Sequence, residues 1–96
     1  MPYSFQPSRK DDNHDEIVRG LERAGVSVKS VAQFGVGFDI IAGWQGTNWL
    51  FEIKDGDKPP SKRALTESEA LMRDTWRGQW SVIEALDQAF TIMGVR

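Results

Sequence analysis

Gly37-Phe38-Asp39-Ile40-Ile41-Ala42-Gly43-Trp44-Gln45-Gly46-Thr47-Asn48-Trp49-Leu50-Phe51-Glu52-Ile53-Lys54 is the stretch that decides the fold. Two runs rich in β-forming residues, 38–43 and 47–54, flank Gln45-Gly46, a pair suited to a two-residue hairpin turn. With that turn, Trp44 faces Thr47, and counting outward residue by residue brings Asp39 opposite Glu52. Their Cβ atoms would then lie about 4.5–5.5 Å apart. Lys54 is two residues beyond Glu52 and projects from the same side. Gly37 is its cross-strand neighbour and leaves open space there. A bulge near Asp39 would shift this register. The other side carries Phe38, Ile40, Ala42, Trp49, Phe51 and Ile53, an apolar surface expected to pack on helices.

Three charges are thus set into apolar strand sequence, with Ile41 and Leu50 on the charged side as well. Buried charge is costly unless it is paired or binds a metal. Like charges directly opposite each other destabilise a sheet, and a divalent cation between them removes that cost. Oxygen ligands favour Mg²⁺ or Mn²⁺. Asp39 and Glu52 are therefore candidate metal ligands. A plain solvated carboxylate pair is the competing reading, and the apolar flanks weigh against it.

Working outward, residues 1–12 read as a flexible arm with Pro2, Pro7 and Ser8. Residues 13–96 read as one domain. Asp12 or Asn13 is placed to cap a helix over residues 14–24, whose apolar positions Ile17, Val18, Leu21 and Ala24 follow helical spacing. Gly25 supplies a left-handed C-terminal position. Residues 26–31 alternate as a strand, and residues 55–61 form a loop. A second helix spans 65–77, with Thr66 as N-cap and Glu69 as its capping-box partner. Residues 80–83 form a short strand and 84–93 a last helix. The order is αβββαβα, an α/β domain with a mixed central sheet flanked by helices.

Composition narrows the classes. Hydrophobic content is 40% and the chain has no cysteine, which excludes disulfides, thiolate zinc sites and cysteine nucleophiles. No apolar run approaches the length of a membrane span, and the N-terminus lacks the form of a signal peptide. A cytoplasmic location is expected. A net charge of −2 argues against a general nucleic-acid coat protein, but a nuclease with local basic residues tolerates it.

Gly37-Phe38-Asp39 followed by Glu52-Ile53-Lys54 resembles the PD-(D/E)XK nuclease superfamily, with Phe38 where that family has its proline. The wider pattern Asp11-x-Asn13-His14-x-Glu16-Ile17-Val18, Lys54-Asp55-Gly56, Pro60-Ser61-Lys62-Arg63-x-Leu65-Thr66-x-x-Glu69 and Trp76-x-Gly78 is similar to small phage and prophage proteins. These are akin to the VRR-NUC and Holliday-junction-resolvase branches.

The resemblance implies a restriction-endonuclease-like domain and a Mg²⁺- or Mn²⁺-dependent DNA endonuclease. Its substrate would be structured or branched DNA, and its setting the host cytoplasm. It also implies that the backbone carbonyl of Ile53 is a third metal oxygen and that Lys54 orients or deprotonates a water, or neutralises charge on the phosphate. Glu16, on the first helix, would complete the metal site. Many members carry a glutamine on the helix after the lysine strand; the aligned position here is Ala70, preceded by Glu69.

Arg9 and Lys10 before the first helix, and Lys58, Ser61, Lys62 and Arg63 after the lysine strand, are candidate DNA contacts. His14 reads as a capping or substrate-contact residue rather than a base. Trp49, Trp76 and Trp80 read as core. Trp44, at the hairpin tip, reads as an exposed aromatic. A homodimer would place two sites on one substrate. Two other classes compete: a catalytically inactive module of the same fold that binds nucleic acid or a host protein, and an unrelated interaction protein. The last requires Asp39 and Glu52 to lie far apart.

Overall fold

The computed structural model describes residues 12–96. The elements are α1 (His14–Arg23), β1 (Ser27–Ser30), β2 (Ile40–Trp44), β3 (Thr47–Ile53), α2 (Glu67–Thr75), β4 (Ser81–Ile83) and α3 (Leu86–Met93). The expected order αβββαβα holds. Short 3-10 turns at Ala32–Phe34 and Pro60–Lys62 interrupt two of the connections.

One four-stranded sheet runs in the order β1-β2-β3-β4. β1–β2 and β2–β3 are antiparallel, and β3–β4 is parallel. The hairpin turns at Gln45 and Gly46, with φ of 50° and 78°. Two positive φ values in a row are the mark of the turn whose twist matches a β-hairpin. Trp44 therefore faces Thr47, and the register runs back to Ile40 opposite Phe51.

Alternation along β2 and β3 sends Ile40, Ala42, Phe51 and Ile53 to one side, where all four are buried. Ile83 of β4 joins them, with Ile17 and Leu21 of α1 and Ala89 and Met93 of α3 packed on top. Each such large side chain removed from water contributes roughly 1.5–3 kcal/mol before chain entropy is counted. Gly20 lets α3 come close to α1, because a Cβ there would strike Leu86. Gly25, at φ 93°, ends α1 as the sequence predicts.

Asn13 stands at the N-cap position of α1 but makes no capping bond with its side chain. Its Nδ2 instead donates to the carbonyls of Lys54, at 3.1 Å, and Glu84, at 3.0 Å. One amide thus ties the carboxyl ends of the parallel strands β3 and β4 to the start of α1. His14, expected at a cap or a substrate, is buried, with Nε2 3.1 Å from Ser30 Oγ of β1.

The predicted α2 is shorter than read, and its capping box is present in both directions. α2 buries none of its residues. Trp76, read as core, is 51% exposed at its C-terminal end. Trp44, read as exposed, is half-buried and packs against the core.

Candidate metal and phosphate site

The apolar side of β3 faces α1 and α3, so Glu52 and Lys54 point the other way, towards α2. Both are buried, at 2% and 8% exposure. A cleft of about 270 Å³ opens where they emerge, lined among others by Gly37, Asp39, Glu52, Lys54, Thr66 and Glu69. It sits at the carboxyl end of the parallel pair, beside the point where β2 enters the sheet.

Asp39 lies one residue before β2, and the ladder changes there. Its N–H donates to the carbonyl of Phe51 at 2.8 Å, although Ile40 is the residue in register with Phe51. Two residues of one strand thus address one residue of the other, the geometry of a β-bulge. The bulge does not part the pair that simple counting predicts. Asp39 Oδ2 accepts the N–H of Ile53 at 2.8 Å, and Asp39 and Glu52 line the same cleft. The two are not far apart, as the unrelated-protein reading required.

Lys54 Nζ bridges two carboxylates, Glu52 Oε2 at 3.4 Å and Glu69 Oε1 at 2.8 Å. The open space expected at Gly37 is filled. A Cβ there would strike Met72 and the carbonyl of Ser68, both on α2, and the residue holds φ 98°. Trp80 Nε1 donates to the Gly37 carbonyl at 3.0 Å and fixes the same turn.

The electrostatics follow from this crowding. Burial pushes the Glu52 pKa up to about 10, helped by a hydrogen bond with Glu69 and the charges of Asp39 and Glu69. Glu52 therefore carries a proton at neutral pH in the metal-free protein. Burial also raises Asp39, against hydrogen bonds from Ile53 and Glu52 that pull it down. Burial works against the charge of Lys54, but its contacts with Glu69 and Glu52 outweigh that and raise its pKa. For Glu69, burial raises the pKa, yet hydrogen bonds from Glu52, Lys54 and the Thr66 backbone lower it overall.

Glu52 Oε1 is buried and receives no hydrogen bond from the described residues. An orphaned carboxylate oxygen beside a second carboxylate suits a hard divalent cation. Among the described residues, no three His, Cys, Asp or Glu side chains gather closely enough to hold a metal. Two carboxylates are still enough for Mg²⁺, which keeps several waters and is commonly held by one or two carboxylates plus substrate phosphates.

The remaining expected residues divide. Ile53 lines the cleft. Glu16 does not join it. Its side chain is exposed and lines a separate depression with Asn13, Asp55, Asp57 and Glu84. Ile17 and Leu21 turn α1 into the core against β1 and α3, and Glu16 is carried away from the cleft. None of the expected DNA contacts Lys58, Ser61, Lys62 and Arg63 lines the cleft. Lys58 pairs with Asp12 at 3.0 Å and Arg63 with Glu84 at 3.3 Å, while Ser61 and Lys62 are exposed. Arg9, Lys10 and all of the expected arm except Asp12 lie outside the described residues.

Glu69 is the residue of the cleft that sequence reasoning placed only as a capping partner. No family model, curated protein or solved structure matches the chain. Among the described residues no helix is long and apolar enough to cross a membrane.

Proposed function

We propose that the protein is a divalent-metal-dependent DNA endonuclease of the PD-(D/E)XK type. The observation that carries this reading is the pair of half-buried Asp39 and buried Glu52, the latter with one orphaned oxygen, in a cleft that also holds Lys54. Asp39 and Glu52 would hold Mg²⁺ or Mn²⁺. Such a cation supplies polarisation of a phosphodiester oxygen and acidification of a water. The resemblance to small phage and prophage proteins supports structured or branched DNA as the substrate, in recombination, repair or processing.

The chain's own groups have separable tasks. Asp39 is oriented by the Ile53 N–H, so one of its oxygens is fixed before any ligand arrives. Glu52 would have to give up its proton to hold the cation, because a carboxylate must be ionised to act as a ligand. Lys54 is an ammonium between Glu52 and Glu69, with a pKa pushed upward. It therefore serves to stabilise negative charge on the phosphate rather than to remove a proton from water.

The test is cleavage of linear, nicked, flapped and four-way DNA with Mg²⁺, with Mn²⁺ and with EDTA, comparing the wild type with Lys54→Ala. Metal-dependent cleavage that Lys54→Ala abolishes supports the reading. Absence of cleavage on every substrate would leave a nuclease-fold binding module instead. Equal cleavage by Lys54→Ala would remove the lysine from the mechanism or expose a contaminant.

A further inference from the structure

Glu69 Oε1 accepts two hydrogen bonds. One comes from the Thr66 backbone N–H at 2.9 Å and closes the capping box that starts α2. The other comes from Lys54 Nζ at 2.8 Å. The same oxygen thus ends a local helix signal and holds a side chain 15 residues back in the chain. The box is completed by the Glu69 N–H, which donates to Thr66 Oγ1 at 3.3 Å. The Glu69 side chain is 13% exposed and that of Lys54 9%. Their contact is therefore shielded from water, unlike a surface ion pair that contributes little. Of the two carboxylates that Lys54 reaches, Glu69 is the nearer, at 2.8 Å against 3.4 Å for Glu52.

A lysine has a long flexible stem, and its ammonium goes where its partners hold it. Without Glu69, the nearest acceptor left to Lys54 is Glu52 Oε2. The ammonium would then sit on the side chain that the proposed metal needs. With Glu69 in place, the charge is drawn to the α2 side of the cleft.

We propose that Glu69 is a positioning residue for Lys54: the capping box of α2 clamps the ammonium at the wall of the cleft and keeps it from closing on Glu52. Formation of the first turn of α2 and alignment of Lys54 are then one event. The catalytic consequence rests on the nuclease reading; the clamp itself does not.

Two measurements separate these. The first is amine reactivity: the protein is treated with acetic anhydride, and modification of Lys54 is followed by mass spectrometry against the other lysines. Lys54 is expected to be protected in the wild type, and its relative rate to rise several-fold in Glu69→Ala and by less in Glu69→Gln. Glutamine keeps the capping box, which accepts either residue, so Glu69→Gln answers the question even where Glu69→Ala folds poorly. An unchanged Lys54 rate in Glu69→Gln and in every folded Glu69→Ala sample overturns the clamp.

The second is metal-dependent DNA cleavage. Glu69→Ala is expected to lower kcat about 10–100-fold, the usual effect of losing an outer partner of a metal site, with KM little changed. Glu69→Gln should recover part of that loss. Thr66→Ala breaks the other half of the box and leaves the carboxylate, so it should lose less. Equal losses in Thr66→Ala and Glu69→Ala would reduce Glu69 to a helix start and overturn the proposal. A wild-type protein that cuts no DNA defeats the nuclease reading, and the labelling result still decides the clamp.

Discussion

Asp39 Oδ2 accepts the backbone N–H of Ile53 at 2.8 Å, so the carboxylate just ahead of β2 is tied to the residue between Glu52 and Lys54. The bond spans the hairpin at its open end, where the bulge has already drawn the Asp39 N–H to Phe51. It makes Asp39 both a ligand candidate and a structural clasp, and substitutions can part the two roles. Asp39→Asn keeps an acceptor for Ile53 and should leave thermal stability near that of the wild type while abolishing metal binding. Asp39→Ala should also cost about 1–3 kcal/mol, the penalty for a buried N–H left without its partner. Urea unfolding of both variants beside a metal titration tests this.

Glu52 makes the metal-free protein sensitive to alkali. Its pKa is about 10 in the fold, against an ordinary value of 4.5. Across that window the native state holds a proton that the unfolded chain has lost. Stability from this group is therefore complete below about pH 4.5 and falls as the pH rises towards 10. Asp39 is also raised and acts in the same direction. Glu52→Gln should be more stable than the metal-free wild type at pH 8 and should flatten its decline. Melting temperatures between pH 5.5 and 9 in EDTA are the check, and a wild type that gains stability over that range would contradict it.

Metal loading should release that proton. Calorimetric titration of Mg²⁺ or Mn²⁺ in two buffers of different ionisation enthalpy should show loss of about one proton per site near neutral pH. Affinity should rise with pH for the same reason. Glu52→Gln should show neither binding nor release.

Lys54→Ala should lower metal-dependent cleavage roughly 10²–10³-fold, the range seen when one fixed donor to a developing charge is removed. Its metal affinity should not fall, because Glu52 loses a competing cation. A variant that loses metal binding and cleavage together would show that Lys54 shapes the carboxylates rather than serving the phosphate.

Gly37→Ala should destabilise the fold and disturb the cleft together. The residue holds a positive φ, and its missing Cβ makes room for Met72 and Ser68 of α2. Serine or alanine there must push α2 outward or unwind the turn held by Trp80. Reduced thermal stability together with greater Lys54 reactivity is the expected pair of results.

The trio Asp39, Glu52 and Lys54 was legible because hairpin register and strand alternation are local rules, and Gln45-Gly46 fixed the count. The bulge was not legible. It shows only in which carbonyl the Asp39 N–H chooses. Glu69 was recognised as a cap because capping is also local, whereas its contact with Lys54 depends on how loop 55–66 returns α2 to the sheet. Glu16 was misplaced for the complementary reason. Helical spacing identifies Ile17 and Leu21 as the buried stripe but not which neighbour that stripe meets, and it meets β1 and α3. The same gap explains Trp76, on a helix that buries none of its residues, and Arg63, whose guanidinium turns to Glu84.

Asp39, Glu52, Lys54 and Glu69 all fall within residues 39–69, and the hairpin that joins the first three is closed by a two-residue turn. Contacts of short sequence separation form early in folding, ahead of those that join distant parts of the chain. The acidic pair is therefore expected to meet before α1, β4 and α3 are placed. Electrostatic repulsion would then fall on the folding barrier and not only on the finished protein. Divalent cation should accelerate refolding as well as slow unfolding, a signature that stopped-flow kinetics can read without any substrate.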